Sequence, residues 1–117
     1  TETHHLISRR EFELMKPSAY LINTARGGLV NEIDLLRSLS NEQIAGAAID
    51  VIQGEPPVKD NLILREMPPN LIVTPHIAWA SRESRQRLLD QLAGNIENFL
   101  QNKPFSQITD ALNYTPK

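Results

Sequence analysis

Cysteine is absent from the 117 residues. That excludes disulfides, thiol catalysis and cysteine-ligated zinc. No apolar run approaches the roughly 20 residues a helix needs to span a bilayer. No charged segment followed by an apolar one opens the chain in the manner of a secretory signal. The cytoplasm is therefore the expected compartment, with no membrane association. An excess of one charge is also lacking. The formal net charge is −2, too small for bulk attraction to nucleic acid or an acidic membrane. Internal repeats and low-complexity tracts are missing as well. What remains is ordinary globular composition, 40% hydrophobic and 22% charged. The length suits one domain with a real core. The first residue is Thr1, so either an initiator has been removed or the chain starts inside a longer one.

Alternation organises the chain. Ser8 and Glu11 fit a capping box opening a helix that runs to about Met15, where Lys16-Pro17 stops it. The run from Ser18 to Ala25 reads as a buried parallel strand covered on both faces, because its apolar stretch is nearly continuous. After Gly27-Gly28, Asn31 is a good N-cap for a helix with Ile33, Leu36 and Leu39 near one face. A second strand is expected over Ile44 to Ile52. Its small residues suggest close packing or close ligand approach. A polar, proline-rich loop leads to a short helix at Leu62 to Glu66, then a third strand at Leu71 to Thr74. A long helix from Ser81 to about Asn102 carries a stripe of Leu88, Leu92, Ile96 and Phe99, broadened by Leu89 and Leu100. An irregular tail follows Lys103-Pro104. Such alternation implies an α/β fold with a parallel sheet.

Ligands of open α/β sheets sit beyond the carboxyl ends of the strands. Arg26, Glu55 and His76 follow the first, second and third strands respectively, so parallel strands carry all three to one edge. Taken singly, each has a plain reading: a surface arginine, a solvated glutamate, a hydrogen-bonded structural histidine. The adjacent His4 and His5 read as loop residues, since neighbours on the chain point different ways and make a poor metal pair. No metal site is expected. Trp79 reads as a packing residue, and the charges of Ser81 to Arg87 as a solvated helix face.

Taken together, the three suit chemistry on a 2-oxo acid. A guanidinium grips a carboxylate through two parallel hydrogen bonds. An imidazole donates or accepts a proton near neutral pH. A carboxylate beside it stabilises the imidazolium and fixes the ring. Reduction of a carbonyl next to a carboxylate would use all of these, though the spacing supplies no hydride.

The stretches "LINTARGGLVNEIDLL", "IAGAAIDVIQGEPP" and "NLIVTPHIAWAS" resemble three consecutive signatures of the D-isomer-specific 2-hydroxyacid dehydrogenases, and "TETHHLIS" resembles the segment before them. The stretch from His76 through the long helix looks most like the glycerate dehydrogenase (hydroxypyruvate reductase) branch. The resemblance implies a partial doubly wound, Rossmann-like sheet of about three strands with a long C-terminal helix. Residues 1–80 would be the C-terminal part of a nucleotide-binding domain. Residues 81–117 would be a helix and tail returning toward a substrate domain.

The resemblance also implies roles. Arg26 would bind the substrate carboxylate, His76 would be the acid/base, and Glu55 would pair with it. Backbone at Thr24 and Ala25 would line the nicotinamide, Asp50 would lie near its amide, and Arg26 and His76 would border the same site. The cofactor would be NAD or NADP and the substrate a small 2-oxo or D-2-hydroxy acid. The G-x-G-x-x-G turn that anchors the cofactor pyrophosphate has no match, since the glycines at 27, 28, 46, 54 and 94 include no pair two apart. The chain therefore resembles the C-terminal third of such an enzyme, incomplete and weakly active or inactive alone. Its unpaired sheet edge implies a homo-oligomer or a place in a longer chain. The alternative is a non-catalytic binding or oligomerisation module derived from such an enzyme.

Overall fold

Ile22, Ala48 and Ile72 lie side by side across three parallel strands, β1 (Tyr20–Asn23), β2 (Gly46–Ile49) and β3 (Leu71–Val73), in that spatial order. The computed structural model in which they are seen describes residues 2–103. The predicted tail lies outside the described residues. Three helices belong with this sheet: α1 (Arg9–Leu14), α2 (Glu32–Ser40) and α3 (Leu62–Glu66). A fourth, α4 (Arg82–Leu100), falls in a separate compact unit that begins at Trp79.

Strand residues alternate between faces, and only one face is covered within the first unit. Ala47, Ile49 and Leu71 join Phe12 of α1, Leu35, Leu36 and Leu39 of α2 and Ile63 of α3 in one buried cluster. Full burial of such side chains contributes about 1.5–3 kcal/mol each. On the other face Tyr20 is 73% exposed, Ile22 71% and Ile72 65%. The expectation of a strand buried on both faces is thus corrected for β1 within this unit: its apolar run is continuous, but nothing in the first unit covers one side of it.

Local signals set most element ends. The Glu11 carboxylate accepts from the Ser8 amide (3.0 Å) and hydroxyl (2.7 Å) at the start of α1. The Asn31 side chain accepts from the amides of Ile33 and Asp34 at the start of α2, and Asn61 from that of Leu64 at the start of α3. The Asn70 amide group donates to the Leu39 carbonyl, tying the end of α2 to the start of β3. The strands are shorter than their apolar runs, because a strand lasts only as long as its neighbour pairs with it. Within α2 the face is also shifted: Leu35 and Leu36 are buried, and Ile33 is half exposed.

The N-terminal segment runs beside the loop after β1. His5 N donates to the Gly28 carbonyl and Ile7 N to that of Leu29, with an isolated bridge between Ile7 and Val30. The rings of His4 and His5, expected to point different ways, instead lie together with centroids 3.8 Å apart and planes tilted by 32°. In the second unit, α4 is capped by the Ser81 hydroxyl, which accepts from Ser84 N. None of its residues is buried, and its stripe from Leu88 to Leu100 is exposed. Trp79, expected to pack, is 56% exposed.

Candidate active site

The carboxyl ends of the three strands present the loops that carry the candidate residues. After β2 the chain turns back so that the Ile52 amide donates to Glu55 Oε1 at 2.9 Å. The other oxygen of the same carboxylate, Oε2, meets His76 Nδ1 at 2.5 Å. Glu55 is therefore held at one oxygen by its own loop and offers the other to the histidine. The Ile52 amide, and then the His76 ring, hold the Glu55 carboxyl below its ordinary value. A carboxylate so placed fixes the orientation of the imidazole ring.

His76 has an unusual backbone. Its φ is +55°, the left-handed region that non-glycine residues seldom occupy. Such a residue costs roughly 1–3 kcal/mol and persists only where its surroundings hold it. They do so here. His76 N donates to the carbonyls of Asp50 (2.9 Å) and Thr74 (3.0 Å). Asp50, only 3% exposed, accepts at Oδ1 from the Thr74 hydroxyl (2.5 Å) and Ile77 N (2.9 Å), and at Oδ2 from Ala78 N (2.8 Å). The Thr74 hydroxyl, with the Ala78 and Ile77 amides, keeps the Asp50 carboxyl below its ordinary value despite burial.

Arg26 reaches the same sheet edge by a different route. Asn23, at the end of β1, accepts from Ala25 N and donates to the Arg26 carbonyl, shaping the turn. Arg26 itself is exposed and its Nη1 donates to the Ala25 carbonyl at 2.7 Å. Gly27 follows because nothing larger fits: a Cβ there would lie 2.1 Å from the carbonyl carbon of Ile52. The loops after β1 and β2 are thus pressed together, and Glu32 Oε1 accepts from Gln53 N at 2.6 Å across them. A cleft of about 490 Å³ opens beside the dyad, lined by Glu55, His76 and Thr74 together with apolar residues such as Ile52, Leu64 and Met67.

Glu55 and His76 are in contact, as the sequence led one to expect. Arg26 sits on a neighbouring loop with its guanidinium turned to its own backbone. Thr24 and Ala25 lie on that same turn. Two contributors escaped sequence reasoning. Thr74 was visible only as the end of a strand, and Gly27 only as half of a turn. The signal for either is a contact across loops, which no local pattern contains.

A parallel sheet with a histidine–carboxylate pair outside its carboxyl edge follows the layout in which open α/β folds place their ligands. A family profile described as "D-isomer specific 2-hydroxyacid dehydrogenase, NAD binding domain" matches residues 1–78. The chain belongs to that family. It is 50% identical over 103 residues to a glycerate dehydrogenase of Methylorubrum extorquens, covering 88% of this chain and 33% of that protein. The D-lactate dehydrogenase of Lactobacillus jensenii, solved with NAD+, superposes with a TM-score of 0.73 at 29% identity, over 91% of this chain and 35% of that one. An NADPH-dependent glyoxylate/hydroxypyruvate reductase of Sinorhizobium meliloti, solved with NADP and malonate, gives 0.68 at 32% identity, over 86% and 30%. The chain spans about a third of the length of the curated relatives it matches.

Proposed function

We propose that these residues are the acid/base and carboxylate-binding part of an NAD(P)-dependent enzyme that interconverts a small 2-oxo acid and a D-2-hydroxy acid. The observation that carries the reading is the 2.5 Å contact between Glu55 and His76 at the carboxyl edge of the sheet. In the direction of reduction, Arg26 holds the substrate carboxylate by swinging its fork off the Ala25 carbonyl. His76 delivers a proton to the developing hydroxyl, and Glu55 holds its ring in place. A bound nicotinamide would supply the hydrogen and electron pair. The residues fit its nicotinamide end: Thr24 and Ala25 offer backbone on the turn beside Arg26, and Asp50 anchors the loop behind. No glycine turn of the G-x-G-x-x-G kind is present for the pyrophosphate.

Hydroxypyruvate or glyoxylate is the substrate class favoured, with a D-glycerate-like product. The support is the 50% identity to a glycerate dehydrogenase and the likeness to a glyoxylate/hydroxypyruvate reductase. The 117 residues alone are weakly active or inactive, and act within a longer chain or an oligomer. The open sheet face at Tyr20, Ile22 and Ile72 supports this. It also favours the second reading, a non-catalytic module that docks on another chain.

The two are separated by carrying the residues in a full-length homologue. NADH and NADPH oxidation is followed with hydroxypyruvate, glyoxylate and pyruvate, for the parent and for His76→Asn. Turnover that collapses in the variant, with cofactor affinity kept, supports the enzyme. Undiminished turnover in His76→Asn would sink it.

A further inference from the structure

Four groups converge on one buried aspartate, Asp50, next to the proposed acid/base residue, three on its carboxylate and one on its main-chain carbonyl. The Thr74 hydroxyl and Ile77 N share Asp50 Oδ1, Ala78 N takes Oδ2, and His76 N takes the Asp50 main-chain carbonyl. Both ends of the turn from Thr74 to Ala78 are therefore fastened to a single residue at the end of β2. Asp50 is itself fixed, its amide donating to the Asn23 carbonyl, while Thr74 N donates to the Ile49 carbonyl. The left-handed His76 sits at the centre of this loop of bonds. Relaxation of its φ would swing Nδ1 away from Glu55, which has its other oxygen tied to Ile52 and cannot follow.

We infer that Thr74 is a positioning residue: its hydroxyl, by closing the clasp on Asp50, holds His76 in the strained backbone that presents Nδ1 to Glu55. A methyl in place of the hydroxyl would leave the strand end equally branched and equally filled. It would leave Asp50 Oδ1 with one donor fewer in a nearly closed site. The role of Asp50 is then structural to the chemistry as well as adjacent to it, since both its oxygens are already engaged by the chain that carries His76.

The inference rests on reading His76 as the acid/base residue. Its test does not require turnover, so the two can fail separately. The 117-residue chain, labelled with nitrogen-15, is compared with Thr74→Val and Thr74→Ser by NMR. Long-range proton–nitrogen spectra of the histidine rings report which nitrogen of neutral His76 carries the proton. Amide exchange reports Ile77 and Ala78. In the parent and in Thr74→Ser the proton resides on Nδ1, facing Glu55, and the two amides are protected. In Thr74→Val the Nδ1 preference is lost and exchange at both amides rises about tenfold or more, while the fold remains cooperative. A Thr74→Val chain that keeps the parent tautomer and protection overturns the inference. If that variant does not fold, Asp50→Asn decides by the same readings. Its side chain cannot accept from all three donors, so unchanged spectra there overturn it equally.

Discussion

Gly27 and Ile52 touch so closely that no side chain fits between their loops: a Cβ on Gly27 would sit 2.1 Å from the Ile52 carbonyl carbon and 2.5 Å from the next amide nitrogen. The same Ile52 donates its amide to Glu55. Backbone atoms cannot yield as a flexible side-chain tip can. Gly27→Ala is therefore expected to destabilise the fold by about 1–3 kcal/mol, as overpacking does. It should also loosen Glu55. Urea unfolding monitored by circular dichroism measures the first, and a midpoint equal to the parent's would refute the contact.

Acid should weaken the fold through a few identifiable carboxylates. Asp50, Glu55 and Glu11 all have folded-state values below their ordinary ones. A depressed folded value means the unfolded chain takes up protons first as pH falls. The stabilisation is complete above the ordinary carboxylate range and disappears as pH drops through the lower folded value. Stability should be level above about pH 5 and decline steadily below about pH 4. Asp50→Asn should flatten part of that decline. Denaturation at pH 7, 5 and 3 checks it, and an equally steep decline in the variant would exclude Asp50 as a source.

Arg26→Lys, in a full-length homologue, should raise KM for 2-oxo acids by about 10- to 100-fold. A point ammonium cannot reproduce the two parallel bonds of the guanidinium fork. Steady-state kinetics with the acid and with its uncharged ester discriminate the cause. The ester, lacking the carboxylate, should respond little. An equal loss for both would remove Arg26 from the role of clamp.

Glu55→Gln, in a full-length homologue, should lower kcat for reduction by about 10- to 100-fold with KM little changed. The carboxylate oxygen that meets His76 Nδ1 fixes the ring, and an amide that turns its NH2 group toward it does not. Steady-state kinetics measure the effect. A kcat equal to the parent's would dissociate Glu55 from His76 in function, whatever their distance.

The uncovered sheet face predicts association. Tyr20 and Ile22 on β1 and Ile72 on β3, to either side of Ala48 on β2, form an exposed apolar strip, and strips of this kind mark interfaces. Sedimentation at micromolar concentration should detect species larger than a monomer, and Ile72→Lys should reduce them. A compact, stable parent monomer would count against the idea.

Much of this was legible in the chain itself, wherever the determinant is local. The bounds of α3 follow from the Asn61 cap before it and the Pro68-Pro69 pair after it. The convergence of Glu55 and His76 follows from parallel strands, which need only be counted. What depends on neighbours in space was not legible. The ends of β1 and β2 are set by pairing, so Ser18 and Ile44 read as strand and are not. Ile33 fits the helical period of α2, yet Leu35 takes the buried place. Tyr20 and Ile22 read as interior because a continuous apolar run does not say which face has a cover. Asp50 looked like a cofactor neighbour, and nothing in the sequence reveals that three donors from residues 74–78 already engage it.

The left-handed backbone at His76 bears on which substitutions can be interpreted there. Asparagine enters that region more readily than most residues, whereas valine or isoleucine is severely strained in it. Replacing His76 by asparagine removes the proposed proton carrier with little added conformational penalty. Replacing it by a β-branched residue would confound lost chemistry with a broken turn. The same asymmetry narrows the paths open to sequence drift, because position 76 must satisfy a torsion angle before it can satisfy a reaction.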